Sequence, residues 1–198
     1  MKASVLFSGG KDSSLSAILL EPFFEIELVT CTFGVLPVGE VARKAAKKLG
    51  FPHRTLELGR QVLEEAYVSL IKDGFPRNAI NHIHYKAVEQ LSFDGNVSAV
   101  IDGVRRDDRA PVLTLGQSRS IEDRSGIMYI CPLKGYGRSA VDHLVDKHLI
   151  IEEGQSSEVI KADYETELRE IIYQRHDRNM VEKLFPSHVQ SHVIGRKR

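Results

Sequence analysis

Ala3-Ser4-Val5-Leu6-Phe7, followed without a break by Ser8-Gly9-Gly10-Lys11-Asp12-Ser13, decides how this chain is read. The first five residues form a short apolar run of strand length, and Asp12 to Leu20 carries a helical pattern that Pro22 stops. Between them, two glycines let the backbone turn tightly and bring its N–H groups close to an anion. The start of the helix adds unpaired N–H groups and a positive dipole end. Ser8 and Ser13 supply hydroxyl donors and Lys11 a charge. Asp12 is a poor neighbour for phosphate unless a Mg²⁺ ion lies between them, so the string points to a metal-bound polyphosphate. Neither the G-x-x-x-x-G-K-[ST] nor the G-x-G-x-x-G spacing is present.

Outward from this loop, apolar runs alternate with helical patterns, the signature of a parallel sheet covered by helices. Glu27–Phe33, Arg54–Leu58, Val97–Asp102 and Gly126–Cys131 read as further strands. Helices are expected over Val38–Leu49, where Val41, Ala42, Ala45, Ala46 and Leu49 share a face and Gly50 is the stop, and over Gln61–Lys72, Ala79–Leu91 and Ser139–His148. The stretch from Gly103 to Asp123 reads as a charged loop and then a looser region. Ala162–Arg178 is a charged helix, Phe185-Pro186 interrupts the remaining segment, and the end carries a basic tip. The expected organisation is a nucleotide-binding domain over 1–155 and a short helical extension or tail over 156–198.

The six-residue string Ser8–Ser13 resembles the hallmark Ser-Gly-Gly-x-Asp-Ser of the PP-loop family, the N-type ATP pyrophosphatases. Two looser stretches are similar to the tRNA-modifying members. Gly103-Val104-Arg105-Arg106-Asp107-Asp108 stands where those members carry Gly-His-x-x-Asp-Asp, and Tyr129-Ile130-Cys131-Pro132-Leu133 matches their apolar strand leading into Pro-Leu. The resemblance implies an α/β fold with a doubly wound, five-stranded parallel sheet of the adenine nucleotide alpha hydrolase-like type. It also implies cleavage of ATP to AMP and pyrophosphate, with an acceptor adenylated for nitrogen or sulfur transfer. Ser8, Gly9, Gly10, Lys11, Asp12 and Ser13 would then hold the departing pyrophosphate. Thr32 and Phe33 would read the adenine through their backbone, and Gly103 would stand at the nucleotide. Lys11, Asp12, Asp107 and Asp108 are the candidate catalytic residues. Asp12 and Asp108 are the candidate Mg²⁺ ligands, at the sheet edge where open α/β folds bind ligands.

Charge and composition bound the rest. Lys+Arg and Asp+Glu both count 27, so no global field draws the chain to nucleic acid or anionic membrane. Among acceptors such as a tRNA base or a small carboxylate or amide, that tilts the reading slightly from RNA toward a small molecule or protein. Arg43, Lys44, Lys47 and Lys48 read most simply as a solvated helix face. No run is long enough for a signal-peptide core or a membrane span, and the two cysteines, Cys31 and Cys131, sit in separate apolar strands as core filler. These features together indicate a reducing cytoplasmic setting. His188 and His192 are spaced like a helix-surface pair. The extension has three candidate roles: closing over the acceptor, forming a homodimer, or capping the sheet. A non-catalytic ATP or AMP sensor, or a partner-dependent subunit, remains the alternative to turnover.

Overall fold

The computed structural model describes residues 1–95, 97–155 and 161–197. Its central sheet has the order β3-β2-β1-β4-β5 with every pair parallel. The strands are β1 (Lys2–Leu6), β2 (Glu25–Thr32), β3 (His53–Glu57), β4 (Ala99–Ile101) and β5 (Met128–Ile130). The helices are α1 (Lys11–Leu20), α2 (Val38–Leu49), α3 (Arg60–Asp73), α4 (Arg77–Ser92), α5 (Leu115–Ser125), α6 (Arg138–His148), α7 (Tyr164–Arg175) and α8 (Arg178–Leu184).

Strands buried on both faces need apolar residues at successive positions, and β1 supplies them. Ala3 and Val5 pack with Leu28, Ile101 and the inner sides of α1, α2 and α6. Leu6 points the other way, with Val29, Cys31 and Val100, toward α3, α4, α5 and α7. This is the doubly wound α/β sheet expected from the sequence.

The extension is helical over α7 and α8, and its end is a strand. β7 (Val189–Arg196) pairs antiparallel with β6 (Leu149–Gln155) in a second, two-stranded sheet. β6 lies within 1–155 and β7 within 156–198, and both pack into the core through Leu149 and Val193. Leu168 and Ile172 of α7 are fully buried, worth about 1.5–3 kcal/mol each. Residues 156–160, where the sequence places the start of the extension, and Arg198 of the basic tip lie outside the described residues. Among the described residues no helix is long and apolar enough to cross a membrane.

α5 falls in the region that reads from the sequence as loose. Ile121 is its one buried residue, so it has no apolar period to read. Its N-terminus is nevertheless set by a reciprocal cap in which Thr114 and Gln117 satisfy each other's backbone N–H groups.

Candidate functional site

The strand order reverses between β1 and β4, and a crevice opens where their connections part to opposite faces. Both connections carry the singled-out residues. A cleft of about 700 Å³ lies there, lined by Ser8, Lys11, Asp12, Ser13, Gly103 and Asp108 among others. Gly9 takes φ +77°, a left-handed conformation that favours glycine, and this turns the chain from strand to helix. Gly10 is the N-cap of α1, and no side chain caps it. The first N–H groups of that helix therefore have no side-chain partner at the N-cap.

Gly103 fixes how the two connections meet. A Cβ there would stand 2.8 Å from the backbone N of Ser13 and 3.0 Å from Asp12 C, both rigid backbone atoms. Only glycine lets the end of β4 approach the first turn of α1 so closely.

The charges around the loop are ordered. Lys11 Nζ lies 2.5 Å from Asp142 Oδ1. Asp12 Oδ1 is buried without a hydrogen-bond partner among the described residues, and Oδ2 lies 3.7 Å from Arg105 Nε. Burial holds the Asp12 carboxyl above its usual range, against the opposing charges of Arg105 and Lys11. Arg105 donates from its backbone N, Nε and Nη2 to the Asp108 carboxylate at 2.7–3.1 Å.

Three of the predicted site residues stand apart from the cleft lining. Asp107 does not face the cleft: its side chain is 52% exposed and accepts from Arg106 Nε and from Arg138 N. In a short loop, neighbouring side chains diverge, and Asp108 is the one that turns inward. Thr32 and Phe33 do not line the cleft either. The Thr32 carbonyl accepts from Leu58 N, and Phe33 N donates to Glu167 Oε2 at 2.9 Å. Glu167 of α7 is 1% exposed and also accepts from Thr32 Oγ1, Val35 N and Leu36 N. The Thr32 carbonyl and the Phe33 N–H are thus engaged within the protein.

The extension reaches the loop itself. Ala162 N donates to the Ser8 carbonyl at 3.3 Å, and Val193 N donates to the Gly9 carbonyl at 3.0 Å. A Cβ on Gly9 would meet the His192 ring at 3.4 Å, and one on Gly10 would meet Lys161 Nζ at 3.0 Å. His192 is in β7 and His188 just before it, so the two are not a helix-surface pair. An i, i+4 spacing means one face only if the backbone is helical.

Beneath the cleft lies a buried polar cluster that sequence reasoning did not assemble. Asp102 closes β4 and is 3% exposed, and its carboxylate accepts from His84 Nε2 at 2.7 Å, Tyr129 OH at 2.6 Å and Val104 N at 2.8 Å. Burial alone would raise its pKa, but the charge of His84 and these donors hold it below the usual carboxylate range. A charged residue ending an apolar strand was the available signal. Cys31 and Cys131 are free thiols, as expected. Burial pushes Cys31 up to about 12 and Cys131 up to about 11, so neither is an activated thiolate. Among the described residues, no three His, Cys, Asp or Glu side chains gather as a metal-ligand set.

Comparison with known proteins places the chain among relatives. It is 41% identical over 199 positions to the uncharacterized protein MJ0690 of Methanocaldococcus jannaschii, covering 100% of this chain and 98% of that one. A crystal structure of a predicted subunit of tRNA methyltransferase from the same organism superimposes with a TM-score of 0.91 at 40% identity, covering 100% of this chain and 98% of that one. The tRNA-specific 2-thiouridylase MnmA of Syntrophomonas wolfei is a more distant relative, 27% identical over 197 positions, covering 85% of this chain and 58% of the thiouridylase. The family of unknown function DUF7411 matches residues 1–195, and the chain belongs to that family.

Proposed function

We propose that this chain is a PP-loop enzyme that binds ATP with Mg²⁺ at the Ser8–Ser13 loop and cleaves it to AMP and pyrophosphate, activating a base of tRNA. The observation that carries this reading is the place of the loop. It opens at the topological switch point, with the uncapped start of α1, which carries Asp12, on one side and Arg105 and Asp108 on the other. An acceptor oxygen attacks the α-phosphorus and pyrophosphate leaves; a nitrogen or sulfur nucleophile then displaces AMP. Lys11 and the loop N–H groups stabilise the leaving pyrophosphate, and Arg105 offsets charge on the α-phosphate.

The residues fit a magnesium ion held mainly by phosphate oxygens, which needs only one or two protein carboxylates. Asp12 offers a buried oxygen with no hydrogen-bond partner among the described residues. Asp108 stands close enough for its charge to act on Asp12, although Arg105 already holds it. Bound there, the ion would neutralise charge on the polyphosphate.

The relatives support tRNA as acceptor over a small carboxylate, since one is a tRNA thiouridylase and another a predicted tRNA methyltransferase subunit. The latter also favours a second reading, in which turnover waits for a partner subunit. The test is pyrophosphate release from ATP and Mg²⁺, screened against total tRNA, small carboxylates and ammonia. Release dependent on tRNA is expected. ATP binding with no release under any condition, reversed by a partner protein, would favour the second reading.

A further inference from the structure

Three cations approach the Ser8–Ser13 loop, and they differ in whether they are balanced. Lys11 is paired with Asp142 and Arg105 with Asp108. Lys161 enters no ion pair among the described residues. It lines the same cleft as Ser8, Lys11 and Ser13. Its charge acts on Asp12 at one side and on His192 at the other, so it stands between the loop and β7.

Gly10 locates the ammonium against the loop. Its backbone has φ −83° and ψ 166°, a conformation open to any residue, so strain does not explain the glycine. A Cβ there would lie 3.0 Å from Lys161 Nζ, 3.1 Å from Lys161 Cε and 3.3 Å from Ser8 Oγ, so the end of the lysine lies directly over the Gly10 backbone. The base of the lysine is also fixed. The next residue, Ala162, is buried, and its N–H donates to the Ser8 carbonyl, tying this point of the chain to the loop. An anion bound beside Gly10 would meet this ammonium directly.

We infer that Lys161 is a phosphate ligand, delivered by the C-terminal extension onto the Ser8–Ser13 loop, where its ammonium lies over Gly10 and binds the polyphosphate of the nucleotide. This rests on the nucleotide reading above. It gives the extension a part in binding: β7 and Ala162 hold the loop carbonyls while Lys161 supplies the charge. The unliganded protein keeps the site ready, so little ordering is needed when the anion arrives.

The test is calorimetric titration of the full chain with inorganic pyrophosphate and with ATP, each with Mg²⁺, and with adenosine as a phosphate-free control. Wild type, Lys161→Met and Lys161→Arg are compared. Lys161→Met should weaken pyrophosphate and ATP by about 10- to 100-fold, the range for one charge-assisted hydrogen bond. Adenosine binding should be unchanged, and Lys161→Arg should recover most of the loss. Thermal melting of the unliganded variants checks that both are folded. Wild-type pyrophosphate affinity in Lys161→Met would overturn the role of Lys161 and leave the nucleotide reading intact. Failure of the wild type to bind either phosphate ligand would remove both.

Discussion

Gly103→Ala puts the geometry of the site to a sharp test. The added methyl would stand 2.8 Å from Ser13 N and 3.0 Å from both Asp12 C and Ser13 Cα. All three are backbone atoms in the first turn of α1, so no side chain can swing aside and either β4 or α1 must shift. Overpacking of this kind costs about 1–3 kcal/mol. Replacing glycine by alanine restricts the unfolded chain and returns about 0.4–1 kcal/mol. The net loss is then about 1–2 kcal/mol, or roughly 2–8 °C in melting temperature for a chain of this size. Gly116→Ala is the control. Gly116 lies in α5 with nothing within 4 Å of its would-be Cβ, so the substitution should leave stability unchanged or raise it by up to about 1 kcal/mol. The assay is a thermal melt followed by circular dichroism, paired with titration of ATP and Mg²⁺. Because the shift falls on Asp12 and Ser13, Gly103→Ala should weaken nucleotide binding more than its modest destabilisation would suggest. A variant that melts with the wild type and binds ATP equally well would refute the close contact and the site built on it.

Other substitutions probe the charges. Asp102→Asn leaves one oxygen to face three donors and breaks a buried pair, so it should cost about 3–5 kcal/mol, read as a lower urea midpoint at pH 7. The Asp102 carboxyl is depressed in the fold, so its stabilisation is complete above the unfolded value of about 4 and is lost as pH falls through the folded value. The midpoints of wild type and Asp102→Asn should therefore converge on acidification. Asp12 has the opposite sign. Its carboxyl is raised by burial, so its ionised form costs stability at neutral pH and nothing once protonated in both states. Asp12→Asn should melt about 2–4 °C higher at pH 7, the effect of about 1 kcal/mol, with that gain fading toward pH 3. Cys31 and Cys131, pushed up to about 12 and about 11, should react with iodoacetamide at pH 8 at least about 100-fold more slowly in the folded protein than in urea.

Most of the central sheet was legible because β1, β2, β4 and β5 are rich in apolar residues between turn residues, as a doubly wound sheet demands, whereas β3 at the edge has Leu56 as its single apolar residue. The loop was legible for a different reason. A strand, two glycines and a helix form one local unit, so residue order alone brings Ser8 and Ser13 to one place. The features that stayed hidden depend on contacts far apart in sequence. β6 and β7 pair across the whole of α7 and α8, with no hairpin turn to announce them. Lys161, Asp142 and Glu167 reach the site or its flank only through tertiary packing, and nothing in their neighbours marks them. Asp107 and Asp108 are adjacent, and which of them faces the cleft is a matter of loop backbone that residue identity does not encode. Thr32 and Phe33 were placed by resemblance, and the carboxylate of Glu167 from another helix takes up the donors there.

The most direct test of the central claim is the product pair formed from ATP. The protein, incubated with Mg²⁺, total tRNA, ammonium or sulfide as nucleophile and ATP labelled at the α-phosphate, is compared with Asp12→Ala by chromatography of the nucleotides. The account predicts labelled AMP, with pyrophosphate in equal amount, formed by the wild type and lost in the variant. Labelled ADP with inorganic phosphate, or equal AMP formation by Asp12→Ala, would contradict it.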